Sequence, residues 1–322
     1  MSVNTPPKNL FSLLEKSDRV LVTAHIRADG DAIASVCFFS TLLIRMGKSV
    51  QAVLHDSNPD NRYSFLHGFD MICAPHSCSS FNPDMVVILD TPTLKRLGDV
   101  QYLIRAGMQS INIDHHESNE MFGTVNWVAA ASSTCEMLYE IAEIYSEYFD
   151  TALAEILYTG ICFDTGRFRF SNTSERTFRI AAQLVSKGCD VESITENVFY
   201  KWSPVKARMM GEILSGMKLI KNGSVAILKL DHTFFISHPD GWQELEGVSD
   251  LGISIDGVDL SIFFKELEPG TWKLSLRSKG RYNVNEIAER FGGGGHAQAS
   301  GCEIKGDFNA IVDQILQNIT SN

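Results

Sequence analysis

The sequence is short of several features that would place it in a familiar class of protein. Its seven cysteines contain no CxxC pair, which argues against a zinc site and favours reduced thiols. No apolar run is long enough to cross a membrane, and residues 1–16 lack the apolar core of a secretory signal. Basic residues number 28 against 39 acidic ones, and the net charge of −11 argues against binding to long duplex nucleic acid. We therefore expect a cytoplasmic protein with no membrane partner.

The pattern of apolar segments predicts an α/β fold in two domains. Single cores rarely grow beyond roughly 250–300 residues, and this chain has 322. In the first part of the chain short apolar strands alternate with helices, which predicts a doubly wound, mainly parallel sheet. The second part predicts a smaller α/β domain. The expected bounds are 1–189 for the first domain, 190–216 for a helical linker and 217–322 for the second domain.

Apolar spacing and turn residues locate the individual elements. For the first domain we predict strands over 19–24, 49–54, 85–89 and 110–113, and helices over 6–16, 94–106, 133–148, 151–162, 174–187 and 191–200, with a further buried helix ending at Met46. A helix over 204–218 leads to the second domain. There we predict strands over 224–230, 259–265 and 271–277, and helices over 284–291 and 308–318.

Histidine and aspartate residues stand where three of these predicted strands end. His25 follows the first strand, Asp90 the third, and Asp114-His115-His116 ends the fourth. Ligands of a doubly wound sheet bind outside the carboxyl ends of its strands. Taken alone, the Asp-His-His triplet is equally compatible with a solvated loop, so its interpretation depends on the other strand ends.

Three further carboxylates complete a candidate metal site. Asp29 and Asp31 lie in the turn after the first strand, and Asp164 follows a predicted helix. Buried carboxylates without partners are costly, and shared cations relieve that cost. An oxygen-rich set with some imidazoles suits Mn²⁺ or Mg²⁺ better than zinc or copper. Two such ions about 3.5–4 Å apart clamp an in-line phosphoryl displacement, so phosphoester chemistry is predicted.

A run of four glycines, Gly292–Gly295, precedes His296 in the second domain. Glycine lets backbone N–H groups approach an anion closely, which predicts a phosphate-binding loop. The chain has no GK[ST], so this is not a Walker loop. A turn without a ligand after a helix is the alternative. Arg277 adds a side chain suited to a bidentate phosphate contact.

These motifs, in this order, resemble the DHH phosphoesterases. The matching segments are His25-x3-Asp29-Gly30-Asp31, Asp90, Asp114-His115-His116-Glu117-Ser118-Asn119, Ala131–Glu136 and Asp164–Thr173. The glycine run, with Arg277-Ser278 before it, resembles the DHHA1 domain that accompanies DHH. Together the motifs span nearly the whole chain. One departure is Ala28, where many members of the family have proline, and it should alter turn rigidity rather than ligation.

The resemblance implies a role for each of these residues. His25 and Asp29 would hold one ion, Asp31, His115 and Asp164 the other, and Asp90 would bridge the two. Asp114 would orient a neighbouring histidine, and His116 would face the scissile phosphate or the leaving oxygen. Substrate binding would fall to His116, Asn119, Arg277, Gly293, Gly294, Gly295 and His296. For Arg96 and Arg167, contact with the site and simple solvation stay equally open.

The implied activity is that of a standalone bacterial enzyme with two Mn²⁺ ions, or Mg²⁺ in their place. By hydroxide attack it would hydrolyse short oligoribonucleotides (nanoRNA) to 5′-mononucleotides, and it would also dephosphorylate pAp to AMP. One alternative is a phosphodiesterase for pApA or cyclic di-AMP. Another is a nucleotide-binding regulator without catalysis, which degenerate metal motifs would signal. The family also leads us to expect a homodimer.

Overall fold

The chain folds into two compact units, Met1–Lys201 and Trp202–Asn322. The computed structural model describes residues 5–78, 81–245 and 247–319. The boundary between the units lies inside the segment 190–216, for which the sequence predicts a helical linker. Within the described residues, no helix combines the length and apolarity that crossing a membrane would need.

The first unit is built on a six-stranded sheet in which every strand runs parallel to its neighbours. Its strands are β1 Arg19–Thr23, β2 Ser49–Val53, β3 Ile72–Cys73, β4 Met85–Leu89, β5 Gln109–Asp114 and β6 Val125–Val128. Their order is β3-β2-β1-β4-β5-β6, so the winding reverses between β1 and β4. The predicted doubly wound sheet is confirmed, although β3 and β6 were not predicted.

Helices and turns cover both faces of this sheet. The helices are α1 Lys8–Lys16, α2 Gly30–Arg45, α3 Thr134–Ile144, α4 Thr151–Asp164, α5 Glu175–Ser186 and α6 Val191–Thr195, and a π-helical turn, Glu196–Tyr200, follows α6. Val20 and Val22 pack in a core on one face, whereas Leu21 between them packs on the other. This two-sided burial explains why the strands are almost wholly apolar.

Helix α2 occupies the middle of the larger core. Every residue from Gly30 to Leu43 is buried, and α2 packs along α4. The Asp29 side chain caps the helix by accepting hydrogen bonds from the N–H groups of Asp31 and Ala32. The acidic turn that follows β1 is therefore held at the start of a helix that cannot easily move.

The predicted helix over 94–106 is wrong in the type of helix and in its continuity. The segment 94–106 was expected to be a single helix, but the structure has 3-10 turns over Leu94–Leu103. Gly98 interrupts them because it adopts a left-handed backbone conformation.

The second unit contains a mixed sheet in which β8 and β9 pair in parallel and the other neighbours are antiparallel. Its strands are β7 Lys218–Ile220, β8 Val225–Leu230, β9 Leu260–Glu268, β10 Thr271–Ser278, β11 Gly294–His296 and β12 Ala299–Lys305, and its helices are α7 Pro204–Ser215, α8 His232–Ser237, α9 Val284–Glu289 and α10 Phe308–Asn318. The predicted strands β8, β9 and β10 and helices α9 and α10 are confirmed. The short edge strands β7 and β11, strand β12 and helix α8 were not predicted.

Candidate metal centre

Asp90 is the central residue of the cluster at the carboxyl edge of the parallel sheet. It follows β4 directly, and its backbone N–H donates to the carbonyl of Ile113 on β5. The side chain is only 2% exposed. Its two oxygens face different histidines: Oδ2 lies 3.4 Å from His25 Nε2, and Oδ1 lies 3.4 Å from His115 Nε2. One carboxylate thus separates two groups of potential ligands, at the point where the winding of the sheet reverses.

The first group consists of His25, Asp29 and Asp90, each with a donor atom within 4.8 Å of the others. His25 Nε2 lies 3.8 Å from Asp29 Oδ2. The other ring nitrogen, Nδ1, is 2.9 Å from the carbonyl oxygen of Ile26. A carbonyl can only accept, so Nδ1 carries a proton, and Nε2 is the ring atom that faces the two carboxylates of the group.

The second group consists of Asp31, His115 and Asp164, again within 4.8 Å of one another. His115 Nε2 lies 3.1 Å from Asp164 Oδ2. Its Nδ1 lies 3.4 Å from the carbonyl oxygen of Ala131, which favours a proton on this nitrogen, as in His25. Asp164 is the last residue of α4, so a helix end and a strand end meet here.

Asp31 is fully buried and is held by the first turn of α3. Its Oδ2 accepts a hydrogen bond of 2.7 Å from the N–H of Thr134, and Oδ1 accepts one of 3.0 Å from the N–H of Cys135. The approach of α4 requires a glycine, because a Cβ on Gly160 would lie 2.6 Å from Asp31 Oδ1. The helix N-terminus stabilises the carboxylate and fixes its direction.

Thr134 and Cys135 lie in the segment Ala131–Glu136 that resembles the family, but no supporting role was predicted for them. The Thr134 hydroxyl also donates to Asp90 Oδ1, over 3.1 Å. The available signal was the polar run Ser132-Ser133-Thr134, in which Ser133 caps α3 by accepting from the N–H of Glu136. A capping pattern predicts a helix start, but it does not reveal which distant carboxylate that helix will face.

His116 borders the cluster, since it groups with Asp90 and His115 and its Nδ1 lies 3.6 Å from Asp90 Oδ1, but its shortest contact is with Asp114. Its Nδ1 donates to Asp114 Oδ1 over 2.7 Å, and Asn119 Nδ2 donates to Asp114 Oδ2 over 2.6 Å. Asp114 is fully buried, whereas the His116 side chain is 40% exposed. The bond to Asp114 raises the pKa of His116. The histidine that Asp114 orients is therefore His116, and its Nε2 is left for a contact outside the cluster.

Burial and neighbouring charged groups raise the pKa values of Asp29 and Asp31 but leave that of Asp90 lowered. Burial and the nearby Asp90 and Asp164 raise the pKa of Asp29 to about 6. The same causes raise the pKa of Asp31. Burial also opposes ionisation of Asp90, but hydrogen bonds with His115 and His25 outweigh it and hold its pKa low. A divalent cation would replace protons in such a cluster.

The donor set fits a pair of divalent cations. Four aspartates and two histidines come together: His25, Asp29, Asp31, Asp90, His115 and Asp164. The set is rich in oxygen, and it contains no cysteine, which is the pattern of Mn²⁺ and Mg²⁺ sites. The structure places every predicted ligand in one of the two groups, with Asp90 between them, while the role of each as a ligand stays a prediction.

The glycine run in the second unit forms part of an edge strand. Gly294 and His296 pair with Gly301 and Ala299 in the antiparallel ladder of β11 and β12. Gly293 packs so closely on the backbone of β12 that an added Cβ would overlap the carbonyl oxygen of Gly301. A Cβ on Gly295 would likewise lie 2.5 Å from the carbonyl oxygen of Ala299. Packing therefore accounts for Gly293 and Gly295, whereas the exposed Gly294 and His296 are not explained by it.

Arg277 lies on β10 and already has partners. Its Nε donates to Asp250 Oδ1 over 2.8 Å, and Nη2 donates to the Ser249 hydroxyl over 3.1 Å. Any phosphate contact of Arg277 would have to compete with Asp250. The predicted roles of Arg277 and the glycine run in substrate binding are not tested by this arrangement.

Comparison with known proteins identifies the family. The model of the DHH family, N-terminal domain, matches residues 19–161, and that of the DHHA1 domain matches residues 222–321. A bifunctional oligoribonuclease and PAP phosphatase NrnA from Bacillus subtilis is 30% identical over 301 residues, 92% of this chain and 92% of that protein. The chain belongs to the DHH family, and the predicted class, a hydrolase of phosphoester bonds, is confirmed.

Two more relatives cover nearly the full length of the chain. The protein of the same name from Thermus thermophilus is 28% identical over 305 residues, 93% of this chain and 89% of that protein. Among solved structures, an exopolyphosphatase-related protein from Bacteroides fragilis has a TM-score of 0.85 and 29% identity, and covers 96% of this chain and 95% of that one. The combination of both domains is thus shared along the whole chain.

Proposed function

We propose that this protein is a Mn²⁺-dependent phosphoesterase that hydrolyses short oligoribonucleotides to 5′-mononucleotides and dephosphorylates pAp to AMP. The observation that carries the proposal is the position of Asp90, whose two oxygens face two separate groups of ligands. The names of the relatives from B. subtilis and T. thermophilus support these two substrates. We place the reaction in the cytoplasm.

The assignment of ligands follows the two groups. His25 and Asp29 would hold one ion, Asp31, His115 and Asp164 would hold the other, and Asp90, which faces both groups, would be shared between them. When bound, two such ions lower the pKa of water and neutralise charge on the phosphoryl oxygens. The chain itself keeps the ligand atoms in place: the amides of α3 orient Asp31, and backbone carbonyls fix the rings of His25 and His115.

His116 is the proposed partner of the substrate. Asp114 holds its Nδ1, and the bond favours the protonated ring, so Nε2 can donate to the scissile phosphate or to the leaving oxygen. Asn119 fixes Asp114 from the other side. In the second unit, Arg277, Gly293, Gly294, Gly295 and His296 remain the proposed contacts to the rest of the nucleotide, and a homodimer remains the expected assembly.

The test is a panel of substrates with purified protein in Mn²⁺, in Mg²⁺ and in EDTA. The panel holds ribonucleotides of two to five residues, a 30-residue RNA, pAp, pApA, cyclic di-AMP and pyrophosphate. We expect 5′-mononucleotides from the short RNAs, AMP from pAp, no activity in EDTA and little on the long RNA. Preference for pApA or cyclic di-AMP would replace the proposed substrates. Binding of nucleotides without hydrolysis of any member of the panel would identify a regulator instead.

A further inference from the structure

A strained turn follows the proposed metal ligand Asp164. Gly166, Arg167 and Phe168 adopt φ angles of +55°, +64° and +61°, so two consecutive residues with side chains are left-handed. This conformation costs free energy at any residue other than glycine. Strain of this kind persists only where the surroundings over-determine it, and it is concentrated at functional sites.

Hydrogen bonds and packing hold the turn in this conformation. The N–H of Arg167 donates to the carbonyl of Cys162 over 2.8 Å, and the N–H of Phe168 donates to the buried hydroxyl of Thr165 over 3.0 Å. The Phe168 ring stacks on Phe178 with centroids 5.4 Å apart. With Phe168 anchored, the turn presents Arg167 outward.

The turn presents two arginines that lack acidic partners. Arg167 and Arg169 are both exposed, and over the described ranges neither forms a salt bridge with a carboxylate. Neighbouring arginines on α5 differ, since Arg176 pairs with Glu136 and Arg179 pairs with Glu175. Two guanidinium groups without a carboxylate partner can donate to the oxygens of an anion.

An exposed tyrosine completes the surface. The Arg167 guanidinium carbon lies 5.6 Å from the centroid of the Tyr200 ring, and Arg167 Nη1 donates to the Tyr200 hydroxyl over 3.0 Å. Tyr200 is the last residue of the π-helical turn Glu196–Tyr200 and is 66% exposed. Such turns are rare and frequently occur at functional sites. Two uncommon backbone conformations therefore meet where Arg167 contacts Tyr200.

The surface lies close to the candidate metal centre. Arg167 is three positions after Asp164 in the chain, so their Cα atoms are at most about 11 Å apart. A nucleotide bound at the metal centre by its reacting phosphate can span such a gap. The guanidinium group can donate hydrogen bonds to a phosphate, and the aromatic ring can stack on a base. Proteins that bind single-stranded nucleic acid combine these two contacts.

We propose that Arg167, Arg169 and Tyr200 form a subsite for the nucleotide next to the cleaved phosphoester bond. The arginines contact the phosphate of this nucleotide, and the exposed face of the Tyr200 ring stacks on its base. This flanking-nucleotide subsite rests on the proposed function, since it requires a substrate with a base beyond the reacting phosphate. From the sequence, Arg167 could either contact the site or simply be solvated. Its place in the strained turn and its contact with Tyr200 favour the site.

Dinucleotides with one base removed test the stacking contact. We would measure kcat/KM for an intact dinucleotide and for two analogues with an abasic sugar at the 5′ or the 3′ position. For one of the two positions, the wild type should prefer the intact substrate by about tenfold. Tyr200→Ala should reduce this preference to about twofold, while Tyr200→Phe should keep it. Tyr102→Ala is the matched control, because Tyr102 is 78% exposed on another element.

A second variant separates binding from folding. Asparagine tolerates left-handed angles better than arginine does, so Arg167→Asn should keep or raise the unfolding temperature. It should nevertheless raise KM for the dinucleotide about tenfold, with Mn²⁺ affinity unchanged. Arg179→Asn on α5, where arginine is paired with Glu175, should not change KM.

The outcomes distinguish this subsite from the activity itself. Dinucleotide hydrolysis with the same base preference in Tyr200→Ala as in the wild type would overturn the subsite and leave the proposed function intact. An unchanged KM in Arg167→Asn would do the same for the phosphate contact. A wild type that hydrolyses no dinucleotide in Mn²⁺ would instead overturn the proposed function, and with it the subsite.

Discussion

The two sheets of this protein use their polar residues in opposite ways. In the first unit all strands are parallel, so every strand ends at the same edge, and His25, Asp90 and His115 meet there. In the second unit neighbouring strands mostly run antiparallel, and the glycine run forms an outer strand. A parallel sheet collects distant residues at one edge, whereas an antiparallel edge binds its partner strand through the backbone.

The surroundings of the motif residues differ between the two units. Burial, together with the neighbouring carboxylates, raises the pKa values of Asp29 and Asp31, so their ionised forms are unfavourable without a cation. Gly293 in the second unit is explained by the closeness of β12 alone. A motif in the sequence can thus indicate a candidate metal site, as in the first unit, or close packing of the backbone, as at Gly293.

The largest effect is expected for Asp90→Ala. Among the described residues, Asp90 is the one carboxylate that lies near both His25 and His115, so we expect turnover to fall by about 10³-fold and Mn²⁺ binding to fall with it. Calorimetric titration with Mn²⁺ and hydrolysis of a dinucleotide measure the two effects. Asp99→Ala is the control, because the Asp99 side chain is 67% exposed. An Asp90→Ala protein that still turns over would refute the bridging role.

The second prediction compares two adjacent glycines of the edge strand. In Gly293→Ala the new methyl group overlaps the carbonyl oxygen of Gly301, so the free energy of unfolding should fall by about 1–3 kcal/mol. In Gly294→Ala the Cβ meets no atom closer than 4.0 Å, so stability should hardly change. Urea unfolding followed by circular dichroism measures both. Equal effects of the two substitutions would show that packing against β12 is not what requires Gly293.

The smallest effect is on the pH dependence of metal binding. Asp29 has a pKa raised to about 6, so below that pH it is protonated and a cation must displace the proton. Displacing this one proton should lower Mn²⁺ affinity about tenfold for each pH unit below 6, in addition to the effect of any other proton that the ion displaces. Burial lowers the pKa of His115, but Asp164 and Asp90 raise it to about 12, so binding should release a further proton.

The raised pKa of Asp29 also makes the stability of the protein depend on pH. The folded protein holds the Asp29 proton up to about pH 6, whereas the unfolded chain loses it near pH 4. Without Mn²⁺, stability should therefore fall between these values as the pH rises, and added Mn²⁺ should raise the unfolding temperature more at pH 7.5 than at pH 5. Thermal unfolding at both pH values measures the difference. A larger increase at pH 5 would contradict the assignment of Asp29.

Local patterns were enough to locate most elements of the fold. The apolar run 85–89 predicted β4 at its observed bounds, Met85–Leu89, because a fully buried strand reads as a continuous apolar segment. Strand β12, Ala299–Lys305, was missed, since Ala299, Ser300 and Gly301 have little preference for strands. Its pairing with β10 stabilises it instead, and that contact is distant in the sequence.

The amino-acid sequence by itself indicated which residues could form the site and in what order they occur. Carboxylates and histidines at the ends of apolar segments indicate a cluster, because such ends converge in a parallel sheet. Tertiary structure alone decided how the cluster is supported and extended: the amides of α3 reach Asp31, and the left-handed turn brings Arg167 to Tyr200. These contacts join segments more than thirty residues apart, so no local pattern encodes them.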